Sequence, residues 1–161
     1  LLDDYDGEVS VGLSETRAEF GFGAVRLTSK LIDGTFPDYT RVIPTGNDRI
    51  MQVDAASFAA AVDRVSTISS EKSRSVKMGL KPGVLTLSAS NIDASSAIEE
   101  IEVTYDGVEM DIGFNARYLL DIAAQVNNDI VEFALADQGS PSLVRAPGDD
   151  ASLFVLMPMR V

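Results

Sequence analysis

The chain has 161 residues, 45% of them apolar, with no Cys, no His and a formal charge of −12. Without Cys there is no disulfide framework or thiolate chemistry, and without His the commonest general base and metal ligand is missing, so neither a metal nor a cofactor is expected. No apolar run approaches the roughly 20 residues that cross a bilayer, no basic–apolar leader opens the chain, and the acidic balance argues against a surface uniformly coated with nucleic acid.

The opening "LLDDYDGEVS" reads as the end of a helix belonging to a longer chain. Alternating strands follow at 8–14 and 16–23, then a strand at 24–32. Residues 33–48 are rich in Gly, Pro and Asp and read as a linker. This divides the chain into 1–45, the back half of one domain with its linker, and 46–161, a complete second domain. In the second domain a strand at 49–54 ends on Asp54, a good N-cap for a helix over 55–68. Phe58, Val62 and Val65 fall at i, i+4 and i+7 and give that helix one apolar stripe. Strands are expected at 74–80, 84–90 and 97–105, with turns at Lys81–Gly83 and Asn91–Ser95. The order then restarts. A strand at 108–114 runs into Asn115, which caps a helix over 116–126 with a stripe of Leu119, Ile122 and Val126. Asn127 and Asn128 can stop it. Strands at 129–136, 141–146 and 151–159 complete a β-α-β-β-β unit repeated twice, an α+β architecture with antiparallel sheets.

The end of the chain, "SLFVLMPMRV", is unusually apolar for a terminus. It is either a last core strand, a sticky surface, or both. Pro158 lacks an N–H, so the tail should leave its sheet near that point.

Charge is segregated. From Arg64 to Lys81 there are five bases (Arg64, Lys72, Arg74, Lys77, Lys81) and one acid, Glu71. From Pro82 to Ala116 there are seven acids and no base. Solvated strand faces would explain this, and so would one basic wall with acidic outer faces. Arg64 lies on the polar side of its helix. The bases alone support weak, non-specific contact with a phosphate backbone, because base readout wants a denser and more varied cluster.

Other motifs fail on context. "GFGAV" (21–25) lies between strands, where a dinucleotide fingerprint needs a helix. "DDYDGE" (3–8) misses the EF-hand spacing. Ser69-Ser70-Glu71-Lys72 matches S-x-x-K, a nucleophile–base motif, but at the end of a helix and without its companion motifs.

Three stretches in the same order, "LIDGTFPDYTRVIP" (31–44), "EVTYDGVEMDIGFNARYLLDI" (102–122) and "MPMRV" (157–161), resemble the bacterial DNA sliding clamp family, the beta subunit of DNA polymerase III. The resemblance implies a non-catalytic, cytoplasmic processivity factor. In that family two protomers of three similar domains close head to tail around duplex DNA, with helices lining the hole and sheets outside. Here 1–45 would be the back half of domain two and 46–161 all of domain three. The resemblance also implies a peptide-binding pocket at the junction of these domains. It receives short apolar motifs of the polymerase, the clamp loader and repair polymerases. The matching positions are Pro37, Arg41, Val42, Asn115, Tyr118, Pro141, Val155, Leu156, Met157, Pro158, Met159 and Arg160. Ser73 stands where some relatives carry an aromatic residue. DNA-facing positions would be Arg64, Lys72, Arg74 and Arg117, and the dimer contact would involve Thr67 and Ile68. The full-length protein would be a homodimer and the present chain a monomer. Competing readings of other classes are a stand-alone peptide-binding adaptor without a DNA role, and a serine hydrolase acting through Ser69.

Overall fold

The computed structural model describes residues 5–69, 74–91, 95–126 and 128–160. The chain divides into two compact units at Asp38 and Tyr39.

The first unit is an antiparallel sheet of β1 (Val9–Leu13), β2 (Arg17–Phe22) and β3 (Val25–Lys30), in that order. The registers place Val9, Phe22 and Val25 in one cross-strand row and Val11, Phe20 and Leu27 in the next. Because side chains alternate across a sheet, these six share one apolar face. That face is largely open, with Leu13 at its end 74% exposed.

The second unit holds the repeated pattern. It opens with a short 3-10 turn, Tyr39–Val42, inside the stretch expected to be linker. The first half is β4 (Arg49–Asp54), α1 (Ala55–Ser66), β5 (Ser75–Lys81), β6 (Val84–Ser90) and β7 (Ser96–Glu102). The second half is β8 (Met110–Asn115), α2 (Ala116–Gln125), β9 (Ile130–Leu135), β10 (Ser142–Arg145) and β11 (Phe154–Leu156). The halves do not form separate sheets. The strand orders are β11-β10-β9-β4 and β7-β6-β5-β8, so each half lends its first strand to the other's sheet.

Local chemistry explains the helices. The Asp54 carboxylate accepts from the Ser57 N–H at 2.8 Å, and the Asn115 side-chain oxygen accepts from the Arg117 N–H at 2.9 Å. Each cap satisfies one of the first-turn donors that have no partner within the helix. The hydrogen bond from Ser57 holds the Asp54 carboxyl below its ordinary range. Phe58, Ala61, Val62 and Val65 bury the face of α1, and Ala116, Leu119 and Ile122 that of α2. Val126 is buried just past the end of α2, where the backbone turns extended. Asn127, one of the two expected stop residues, lies outside the described residues. Gly83 takes φ +77° in the β5–β6 hairpin, a conformation that disfavours a side chain.

Both helices and the inner faces of both sheets share one core. At its centre Phe58 meets Phe133 edge-on, with ring centroids 5.4 Å apart. Two isolated bridges tie the sheets together. Gln52 and Thr104 exchange N–H···O bonds of 2.9 and 2.8 Å, and Met159 pairs with Gly113.

The last strand is shorter than the 151–159 expected. Gly148, at φ +74°, and the Asp149 carboxylate, which accepts from the Ala151 N–H at 2.8 Å, hold the approach in a turn. Pro158 removes a ladder donor beyond it.

Replacing Phe58 with Ala removes the central ring from a site only 1% exposed. We predict a loss of about 3–5 kcal/mol in urea unfolding. A loss below about 1 kcal/mol would mean that the two halves do not share this core.

Candidate functional site at the chain end

β11 is held in its sheet by β10, with Ser142 opposite Leu156, Leu143 opposite Val155 and Val144 opposite Phe154. Leu156 points into the core and is buried. Val155, its neighbour, therefore faces outward, and Met157 is 61% exposed. Continuing the register one step sets Pro141 beside Met157 on the outer side. The Pro141 carbonyl is fixed by the Asn47 side-chain amide, which donates to it at 2.9 Å and to the Ala134 carbonyl at 2.8 Å.

After Pro158 the chain crosses to the other sheet. The Met159 N–H donates to the Gly113 carbonyl at 2.8 Å on β8. Pro158, Met159 and Arg160 there form one wall of a groove of about 650 Å³, with Lys77, Asp111, Gly113, Gln138 and Gly139 on the others. Lys77 and Asp111 are ion-paired at 2.9 Å. The Gln138–Gly139 corner is braced by Asp137, whose side chain accepts from the N–H groups of Gly139 and Ser140, both at 2.8 Å. Those bonds, that from Gly139 foremost, hold the Asp137 carboxyl below its ordinary range.

Of the expected pocket residues, Pro141, Val155 and Met157 thus share an outer sheet face, and Pro158, Met159 and Arg160 share the groove. Asn115 lies two residues beyond Gly113 and is engaged in capping α2. Tyr118, in the first turn of α2, is 56% exposed. Arg41 and Val42 sit in the 3-10 turn of the same unit. Pro37 belongs to the first unit. The sequence reading missed Lys77, Asp111, Gln138 and Gly139 as groove walls. "DQGS" carried only a turn signal, and nothing local tied it to the tail.

The expected DNA-facing bases are not equivalent. Arg64 forks onto Glu99 of β7, with Nε 3.0 Å from Oε2 and Nη2 against Oε1. Hydrogen bonding to Arg64 holds the Glu99 carboxyl below its usual range, and the same bond raises the Arg64 guanidinium. Lys72 and Ser73 lie outside the described residues. Arg74 adopts φ +41°, and its carbonyl accepts the first N–H of α2, from Ala116, at 2.8 Å. Arg74 and Arg117 line one groove of about 340 Å³ between the end of α1 and the start of α2, with Asp63, Thr67 and Asp121. Arg117 is exposed and 3.9 Å from Asp121. Thr67 donates its hydroxyl to the Asp63 carbonyl at 3.1 Å, and Ile68 beside it is half-buried. The Ser69 hydroxyl donates to the Ser66 carbonyl at 2.8 Å, while the other members of the S-x-x-K match lie outside the described residues.

Residues 40–160 match the family model for the DNA polymerase III beta subunit, C-terminal domain. The chain belongs to this family. It is 52% identical, over its whole length, to the beta sliding clamp of Caulobacter vibrioides and 33% identical to that of Escherichia coli. It spans 43% and 44% of those relatives, less than half of each. Among solved structures, a Caulobacter crescentus beta sliding clamp with polyethylene glycol bound to a putative beta-motif tethering region superposes over 99% of this chain and 43% of that one, with a TM-score of 0.92 and 51% identity. A Bartonella birtlesii sliding clamp bound to griselimycin covers 99% of this chain and 43% of that one, with a TM-score of 0.89 and 49% identity. The α+β clamp fold expected from the sequence is the fold observed.

The Arg64–Glu99 pair gives a pH signature. A carboxylate depressed in the folded state adds stability that is present above its unfolded value and lost as pH falls through its folded one. We predict an NMR midpoint for Glu99 below the ordinary glutamate range, moving upward in Arg64→Ala. An identical midpoint in both proteins would show that the fork does not persist in solution.

Proposed function

We propose that this chain is the C-terminal part of a ring-shaped, non-catalytic processivity factor of the cytoplasm. In this reading residues 1–45 are the back half of clamp domain two with its linker, and 46–161 are domain three. The full-length protein would close as a homodimer around duplex DNA and tether DNA polymerase III, clamp-loader subunits and repair polymerases by short apolar peptides. The observation that carries the peptide role is the handover of the tail from β11 to the Gly113 carbonyl. It leaves Val155, Met157, Pro158, Met159 and Arg160 on the surface while Leu156 anchors them from the core. Unbranched, polarizable Met side chains suit a site that accepts several sequences. Asn115, Tyr118, Pro141, Arg41 and Val42 are the proposed companions.

For the dimer contact, Thr67 and Ile68 are the proposed residues. The outer edge of β7 supports the same region, because Ser96–Glu102 pairs with β6 on one side only and a free strand edge is a template for pairing. For DNA, Arg74 and Arg117 are the proposed contacts. Arg64 would first have to leave Glu99.

Deleting the last five residues removes most of the exposed tail but leaves Leu156 in place. We predict peptide binding weakened by roughly 30- to 1000-fold with little loss of stability, by titration of a fluorescent clamp-binding peptide. Unchanged affinity would sink the pocket assignment.

In the full-length ring, Arg74→Glu with Arg117→Glu should shorten retention on nicked circular DNA at low salt and leave peptide binding intact. Arg64→Glu should have the smaller effect. Normal retention in the double variant would mean that this helix-end groove does not face the duplex.

A further inference from the structure

We propose that β11 is a strap that lifts from β10 while the rest of the second unit stays closed, and that the Ser142 hydroxyl behind it sets the balance between docked and lifted states. Ser142 is 1% exposed, and its hydroxyl has no hydrogen-bond partner among the described residues. It lies opposite Leu156 on β11. On its other side, continuing the β9–β10 register one step sets it beside Leu135, which is fully buried. The hydroxyl is therefore held between two Leu side chains of the core. A polar group taken out of water without a partner costs free energy, and it recovers that energy wherever water can reach it.

Only one of the two neighbours is free to move away. β9 is paired with β10 on one side and with β4 along its whole length on the other. The Asn47 amide further ties the Ala134 carbonyl of β9 to the Pro141 carbonyl at the start of β10. By contrast β11 has three residues and is paired on one side only. Leu156 is its one buried residue, and Phe154 and Val155 are half-buried. Each end of the strap meets a place where the backbone leaves the ladder. Before it stands the turn at Gly148, with φ +74°, and after it Pro158, which has no N–H to give. Beyond these hinges the chain is tethered. Asp150 pairs with Arg145 at 3.1 Å, and the Met159 N–H donates to the Gly113 carbonyl at 2.8 Å. A lifted strap is thus kept close and returns. Local opening is drawn from elements with few buried apolar contacts, and β11 is such an element. Burial of Leu156 favours the docked state, and hydration of Ser142 favours the lifted one. This balance follows from the packing alone and stands whether or not the tail receives a peptide.

Native-state amide hydrogen exchange, followed by NMR on the whole chain, reads the opening. In the wild-type chain the ladder amides of β11 should be at least about 10-fold less protected than those of β9. Ser142→Ala removes the hydroxyl, and the near-isosteric Ser142→Cys replaces it with a weakly polar thiol. Both should raise β11 protection about 10-fold. Ser142→Thr keeps the hydroxyl and should not raise it. Equal protection of β11 and β9 in the wild-type chain would mean that the tail opens only with the whole fold, and would overturn the strap. Lower protection that neither Ala nor Cys raises, or that Thr raises equally, would overturn the role of the Ser142 hydroxyl.

Discussion

The exchange of β4 and β8 is the constraint on which the second unit depends. Each half carries its own helix and three consecutive strands, yet the strand that launches each helix pairs in the other half's sheet. Asp54 ends β4 and caps α1, while Asn115 ends β8 and caps α2. Every helix start is thus fixed to the opposite sheet through one residue. Neither half can bury its apolar stripe alone, and Phe58 of the first half finds its ring partner, Phe133, in the second. The Gln52–Thr104 and Gly113–Met159 bridges then join the two sheets at both margins. A domain built this way has few independent parts, so cooperative unfolding follows from the connectivity.

The same closure makes the chain end useful. Here Leu156 holds it in the core, Pro158 forbids further pairing with β10, and the next available donor, the Met159 N–H, is taken up by Gly113. The side chains of Val155 and Met157, on either side of Leu156, are left facing outward. The apolar character of "SLFVLMPMRV" therefore serves two environments. Leu156 satisfies burial, and Val155 with the two Met residues supplies an apolar surface on a positioned backbone.

What the sequence revealed was what is local. Helix stripes, both N-caps and the hairpin at Lys81–Gly83 depend on neighbours a few residues away, and all are found. Strand exchange was not legible, because the partners of β4 and β8 lie dozens of residues off and alternation says which face a residue takes but not which strand it meets. Pro158 signalled where the last strand ends, but its late start at Phe154 was not legible, because it depends on the Gly148 turn and the Asp149–Ala151 bond before it. Tyr39–Val42 was taken as linker because Pro and Asp around it signal irregular chain equally well. The tail motif was recognisable by resemblance, but Gln138 and Gly139 join it only through the tertiary fold. Arg64 was expected to face DNA, and its fork onto Glu99 was hidden because Glu99 is 35 positions away.

That last point bears on how a chain of charge −12 can serve a DNA partner in the proposed reading. The described bases of the 64–81 run are largely matched by acids. Arg64 meets Glu99, Lys77 meets Asp111, and Lys81 lies 3.9 Å from Glu109. Arg117, on α2, has Asp121 one turn along its helix. Such exposed pairs contribute little stability. Their effect is to flatten the local field, so that phosphates meet partly neutralised cations instead of a strong basic patch. Weak attraction of this kind lowers affinity and lessens the hold of any single register along the duplex. A factor held on DNA by ring closure can tolerate the first effect and depends on the second. In the proposed reading the acidic balance and a DNA partner are compatible, because ring closure would supply the retention that the charges do not.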